Sequence, residues 1–95
     1  MREKAIEQKL VNAVRKTGGI CLKFTSGVNG VPDRLCLLHQ GRVAFVEVKA
    51  PGEKLRPLQV YRKNEIEKLG FKVYVLDSED LIDSIIKEIQ EGGAI

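Results

Sequence analysis

Three residues place charge where the chain is otherwise apolar. Glu47 falls inside the run Val43-Ala44-Phe45-Val46-Glu47-Val48, Lys49 follows that run, and Asp33 opens the strand candidate before it. A strand apolar on both faces is a central, buried one. A charge placed there is costly unless it is paired or bound to a metal. Glu47 and Lys49 are two residues apart and project from one face of the strand. Two carboxylates and a lysine at one sheet edge are the parts of a metal site built for phosphodiester hydrolysis. Mg²⁺ takes oxygen ligands, commonly one or two carboxylates with water and substrate phosphate, and the Val48 carbonyl at the strand end is a natural third protein ligand. Lys49 is placed to orient or deprotonate an attacking water, or to offset charge in the transition state. Taken alone, Glu47-x-Lys49 also reads as an ion pair on a strand with one solvated face.

The elements that must position these residues can be read in order. Arg2 to Lys16 has Ile6, Leu10, Ala13 and Val14 on one helical face, with Glu7 beside it, and ends in Arg15-Lys16-Thr17-Gly18-Gly19, the basic-then-glycine composition of a helix C-terminus. Ile20 to Phe24 reads as a strand, and Ser26-Gly27-Val28-Asn29-Gly30 as a loop. Pro32 biases Val31 towards an extended conformation. Asp33 to Leu38 and Arg42 to Val48 are strands joined by His39-Gln40-Gly41, and the length of that connection decides whether a site exists. With a two-residue turn Asp33 pairs with Val48 and lies on the face opposite Glu47. With a three-residue loop Leu38 faces Arg42 and Asp33 pairs with Glu47. Gly41 suits the left-handed position of such a loop, so the three-residue version is expected.

Pro51-Gly52 breaks the chain after the third strand. Pro57 favours a first helical turn, and a helix is expected from there, with Leu58, Tyr61, Ile66 and Leu69 apolar, Arg62, Lys63, Glu65 and Lys68 on its polar side, and Gly70 at its end. Phe71 to Leu76 is a fourth, β-prone strand. A last helix starts at Asp77-Ser78, with Ser78 as N-cap and Leu81, Ile82, Ile85, Ile86 and Ile89 as its apolar stripe. Residues 91–95 read as a frayed end. The order is α-β-β-β-α-β-α, an α/β fold. The helical crossover between the third and fourth strands implies parallel pairing in a mixed four-stranded sheet flanked by helices.

At 95 residues the chain, 1–95, is expected to form a single domain. It is 43% hydrophobic and 31% charged, an ordinary globular composition. No apolar run approaches the ~20 residues of a membrane span, and the polar start Met1-Arg2-Glu3-Lys4 lacks a signal core, so a cytoplasmic protein without a membrane partner is expected. Cys21 and Cys36 fall at strand positions and read as buried core thiols, not as a disulfide or a zinc site. Residues 1–76 carry 15 Lys/Arg against 7 Asp/Glu, a net +8, whereas residues 77–95 carry −5. A basic body suits a polyanionic partner, with the acidic last helix facing away from it.

Other residues can support such a site. Gln59, in the first turn of the second helix, could touch substrate or a metal-bound water. Glu7 could reach the site as a further metal ligand, although most helical glutamates are simply solvated. His39 at the hairpin tip reads as a surface residue. Lys23, Arg34, Lys54, Arg56, Arg62 and Lys63 are candidates for phosphate contacts, which carry affinity without sequence choice.

Gly30-Val31-Pro32-Asp33, thirteen residues, then Glu47-Val48-Lys49 resembles the PD-(D/E)XK nuclease signature. With Glu7 on the first helix, the Ser26–Gly30 loop and Gln59 on the next helix, nearly the whole chain resembles a stand-alone VRR-NUC (virus-type replication-repair nuclease) domain. Tyr61 follows Gln59 too closely to match the Gln-Tyr spacing of exonuclease-like relatives. The resemblance implies a restriction-endonuclease-like core and a DNA endonuclease dependent on Mg²⁺ or Mn²⁺. Asp33, Glu47, the Val48 backbone and Glu7 would then bind metal, and Asp33, Glu47, Lys49 and Gln59 would serve catalysis. Ser26 and Asn29 join Lys23, Arg34, Lys54, Arg56 and Arg62 as the implied DNA contacts. It further implies a homodimer acting on branched DNA such as a four-way junction, in a bacterial or phage-infected cell. The isoleucine stripe of the last helix could serve as part of that interface or pack within the chain. The competing function is a non-catalytic nucleic-acid-binding module that retains the fold.

Overall fold

In the computed structural model, which describes residues 2–92, helix α1 spans Glu3–Lys16. Its Ile6, Leu10 and Val14 fall at i, i+4 and i+8 and are completely buried, as a single apolar stripe requires. Strands β1 (Ile20–Lys23), β2 (Arg34–Leu38) and β3 (Arg42–Val48), helix α2 (Pro57–Lys68), strand β4 (Lys72–Leu76) and helix α3 (Ile82–Gly92) follow. The strands form one sheet in the order β1-β2-β3-β4. The first two pairings are antiparallel and β3–β4 is parallel, the mixed sheet expected from the α2 crossover.

The expected register is present. Leu38 pairs with Arg42 and Arg34 with Val46, so one further step places Asp33 opposite Glu47. The connection is the three-residue turn His39–Gly41, in which Gln40 and Gly41 both have positive φ, 66° and 71°. One face of the sheet, bearing Cys21, Cys36, Leu38, Ala44, Val46, Val48 and Leu76, packs with the stripes of α1 and α3 into the core. Ile82, Ile85, Ile86 and Ile89 are all buried there, so the isoleucine stripe is spent inside the chain. Cys21 and Cys36 are cross-strand partners in the same layer. Phe24, Phe45 and Phe71 stack edge to face on the opposite side of the sheet, with ring centroids 5.3 and 6.1 Å apart.

Several boundaries differ from expectation for local reasons. β2 starts at Arg34 because Asp33 turns its carboxylate onto the Val48 amide. Ser78 does accept a capping hydrogen bond, from the Asp80 amide, but it opens a 3₁₀ turn over Glu79–Leu81, and α3 begins only at Ile82. Residues 93–95 of the expected frayed end lie outside the described residues. The largest correction concerns α2. Leu58, Tyr61 and Leu69 of its expected apolar side are exposed, and Gln59, Lys63, Ile66 and Glu67 form its half-buried side, with an ion pair of 3.1 Å between Lys63 and Glu67. α2 lies against β4 at the end of the sheet, where one helix without a second layer cannot desolvate an apolar stripe.

Removing the Leu10 side chain should therefore cost about 2–5 kcal/mol in a denaturant titration, the range for a buried leucine cut to alanine. Leu69→Ala, at a position 73% exposed, should leave the midpoint almost unchanged.

Candidate active site

Glu47 and Lys49 are the two charged residues buried among the described residues, at 3% and 6% exposure. Alternation along β3 sends them to one face, and Val46 and Val48 to the other, which is the core. The Lys49 amide donates to the Leu76 carbonyl at 2.9 Å, extending the β3–β4 ladder past the strand end and fixing the lysine backbone. Asp33 is fixed twice. Its carbonyl accepts from the Phe24 amide at 2.8 Å, and its Oδ2 accepts from the Val48 amide at 3.0 Å. The carbonyl of a strand residue points to the same side as its amide, so the Val48 carbonyl also faces the Asp33 side of β3.

The Glu47 carboxyl has a buried oxygen, Oε1, with no hydrogen-bond partner. Burial is the main cause that pushes this carboxyl up to about 8, followed by the Asp33 carboxyl within hydrogen-bonding reach, while Lys49 pulls the other way. Neighbouring carboxyls of like charge favour the uptake of a proton or a cation. The orphaned oxygen, the adjacent Asp33 and the Val48 carbonyl form an all-oxygen donor set that fits a hard divalent ion completed by water and phosphate. No group of three or more His, Cys, Asp or Glu gathers in metal-holding geometry among the described residues.

Glu7 stands elsewhere. Its Oε2 accepts from Arg34 Nε at 2.7 Å, on the helix-covered face, because Arg34 alternates with Asp33. Arg34 also donates to the Cys21 carbonyl at 3.4 Å, so its guanidinium is turned inward. Gln59 accepts from the Arg56 amide at 2.9 Å through Oε1 and caps α2. The Ser26 hydroxyl accepts from the Val28 amide at 3.0 Å. Lys23, Asn29, Lys54 and Arg56 are exposed. Arg62 is half-buried and donates through Nε to the Asn29 carbonyl at 2.9 Å.

Two carboxylates near the site escaped the sequence reading. Glu3 is raised by burial first, then by Asp33 and Glu53, and it in turn raises Glu47, so Glu3 lies within electrostatic range of the pair and Glu53 within range of Glu3. Glu3 precedes Glu7 by one helical turn, and this i, i+4 spacing was the signal available for it. Glu53 Oε1 accepts from the Ala50 amide at 3.1 Å, and nothing in its sequence context marked it.

The VRR-NUC domain model matches residues 2–80. The chain belongs to the VRR-NUC family. It is 54% identical over 82 residues to "Putative nuclease p44" of Acyrthosiphon pisum secondary endosymbiont phage 1, a match covering 85% of this chain and 88% of that protein. A solved VRR-NUC domain superposes with a TM-score of 0.84 at 30% identity, over 90% of this chain and 94% of that one. The VRR-NUC fold agrees with the mixed sheet flanked by helices, and the family and the phage relative both carry the name of nuclease. Among the described residues no helix is long and apolar enough to cross a membrane.

A Glu47 raised in the folded state binds a proton that the unfolded chain has released. Stability without metal should then fall as pH rises from about 4.5 to about 8. Thermal melts in EDTA at pH 5, 6.5 and 8 should show this decline, and Glu47→Gln should flatten it and melt higher than the unmutated chain at pH 8. Identical pH profiles for the two proteins would exclude the buried charge as its source.

Proposed function

We propose that this VRR-NUC domain is a divalent-metal-dependent DNA endonuclease that hydrolyses phosphodiester bonds in branched DNA. The observation that carries the reading is the orphaned, buried Glu47 oxygen beside Asp33 and Lys49. Asp33, Glu47 and the Val48 carbonyl would hold Mg²⁺ or Mn²⁺, which when bound supplies Lewis acidity towards water and phosphate. Asp33 is held to the β3 backbone, so its carboxylate presents its free oxygen without reorganisation. Lys49, carried on the same strand face, directs an attacking water or meets charge developing on the phosphate. Gln59 stands on the first turn of α2, with its Oε1 committed to the cap and its amide group left to orient substrate. Lys23, Lys54 and Arg56, exposed around the loop and the α2 entry, supply phosphate contacts.

The preference for branched DNA and the homodimer go together. The sheet face opposite α1 and α3 presents Ile20, Leu22, Leu35, Leu37, Val43 and Phe45, with Glu47 following Phe45 on the same face, and Ile20, Leu22 and neighbouring Phe71 are exposed. An apolar patch of this kind on a small protein marks an interaction surface. A second copy would cover it isologously. The patch runs from the Leu35–Phe45 pair beside Asp33 and Glu47 to Ile20, Val43 and Phe71 near the hairpin. Pairing at the hairpin end would leave both sites open, and two related sites match the two related strands of a four-way junction.

Labelled four-way junction, flap and linear duplex, incubated with Mg²⁺, Mn²⁺ or EDTA, test the reading. Cutting should require metal, favour the branched substrates, and drop at least a hundredfold in Lys49→Ala, on the order lost with an electrostatic catalytic group. Asp33→Asn should lose cutting and keep DNA binding. Cleavage that persists in EDTA would overturn the metal mechanism, and binding without cleavage in every metal would support the non-catalytic module. Leu22→Lys should convert a dimer to a monomer by light scattering. A chain already monomeric at micromolar concentration would remove the dimer from the proposal.

A further inference from the structure

Ten residues separate the end of β1 at Lys23 from the start of β2 at Arg34, and the last of them is Asp33. Strand contacts hold only the two ends of this segment, Phe24 and Asp33. Its middle is held by α2. Gly30 has φ +88°, and a Cβ there would meet Leu58 Cγ at 2.8 Å, the Leu58 carbonyl at 2.9 Å and Arg62 Cγ at 3.1 Å. Only glycine allows the loop to lie this close to the helix in this conformation. One residue earlier, the Asn29 carbonyl accepts from Arg62 Nε. Two residues later, Pro32 is buried.

Two of the three guanidinium nitrogens of Arg62 are engaged, one with the loop and one within α2. Nε is bonded to the loop, Nη1 reaches Glu65 Oε1 at 3.2 Å, and the guanidinium carbon lies 5.2 Å from the Tyr61 ring centroid. A guanidinium serving as a phosphate clamp needs its donor fork turned outward. This one is turned onto a backbone carbonyl three residues before the next loop anchor at Pro32. Leu58 and Arg62 are one turn apart on α2, so the same helical face carries both halves of the contact. Gln59 sits between them, and the helix that presents Gln59 is thereby fastened to the loop that presents Asp33.

We infer that Gly30, Leu58 and Arg62 form a latch between the loop and α2 that sets the position of Asp33, making Arg62 a positioning residue rather than a DNA contact. This rests on the nuclease reading for its activity readout, and has a second readout that does not. A displaced carboxylate ligand costs rate steeply, since about 1 Å of misplacement can cost on the order of a hundredfold. A lost phosphate contact instead lowers affinity and reduces the salt slope by about one.

The test compares Arg62→Ala, Gly30→Ala and Lys54→Ala with the unmutated chain. Measurements are turnover on junction DNA, the Mg²⁺ concentration for half-maximal rate, the dependence of DNA affinity on salt, and amide hydrogen exchange across residues 25–33. Arg62→Ala and Gly30→Ala should both lose about ten- to a hundredfold in turnover, need more Mg²⁺, and exchange faster in 25–33, with the salt slope unchanged. Gly30→Ala removes no charge, so its agreement with Arg62→Ala isolates positioning. Lys54→Ala should reduce the slope by about one and leave exchange in the loop alone. Unchanged loop exchange in both latch variants overturns the inference, as does Arg62→Ala with a reduced slope, full turnover and unaltered loop exchange. If the unmutated chain cuts no DNA, the nuclease reading fails while exchange across 25–33 still decides whether the latch exists.

Discussion

The pairing of β2 with β3 is the constraint on which the molecule depends. Side chains alternate with a period of two, so a slip of one residue would carry Asp33 to the helix-covered face and bring Arg34 beside Glu47. The register is fixed by three residues at the opposite end of the hairpin. Gln40 and Gly41 take successive left-handed conformations, a sequence of backbone states that closes the turn with Leu38 facing Arg42. Glycine adopts this freely, and the flexible, unbranched glutamine adopts it at less strain than a β-branched residue would. The site is thus built by a turn some five residue pairs away, through a ladder of backbone hydrogen bonds that cannot adjust locally.

With that register, the sheet separates its two tasks by face. One face takes the stripes of α1 and α3 and nearly all the fully buried side chains, and it supplies the hydrophobic stabilisation. The other carries the phenylalanine row and, at the end of β3, the charged residues. Glu47 and Lys49 are costly to bury. The raised Glu47 carboxyl keeps its proton near neutrality, which lowers that cost, and the Asp33–Val48 and Lys49–Leu76 bonds fix the backbone on both sides. Arg34 shows the same logic in reverse. It reaches the core face one residue from the site, and Glu7 meets it there, so its charge is compensated without reaching the carboxyl pair.

Most of this was legible from periodicity and turn chemistry. Ile6, Leu10 and Val14 mark α1, the isoleucines mark α3, and the three-residue length of His39-Gln40-Gly41 sets the register. What misled was α2. Leu58, Tyr61 and Leu69 looked like a buried side, but which side of a helix is covered depends on what lies opposite, and a helix at the end of a four-stranded sheet has too little opposite it. The role of Glu7 was ambiguous for a similar reason. A glutamate on α1 could approach either face, and only the placement of Arg34 shows which. Gly30 read as a turn residue, whereas its lack of a side chain serves the approach of Leu58 and Arg62, a tertiary contact without a local signature.

The electrostatics of the site follow from its surroundings. Glu3 adds to Asp33 in raising Glu47, Glu53 adds to them in raising Glu3, and Lys49 opposes them. This end of the sheet is therefore locally acidic, although residues 1–76 together carry +8. A polyanion drawn in by the basic body meets repulsion at the place where hydrolysis would occur. Protons relieve that repulsion by neutralising Glu47, but they also remove a ligand oxygen. On the proposed reading, a divalent cation would relieve it while leaving both carboxylates charged beside a phosphate backbone. A dependence on metal would then follow, on that same reading, from how these carboxylates are buried, before any chemistry begins.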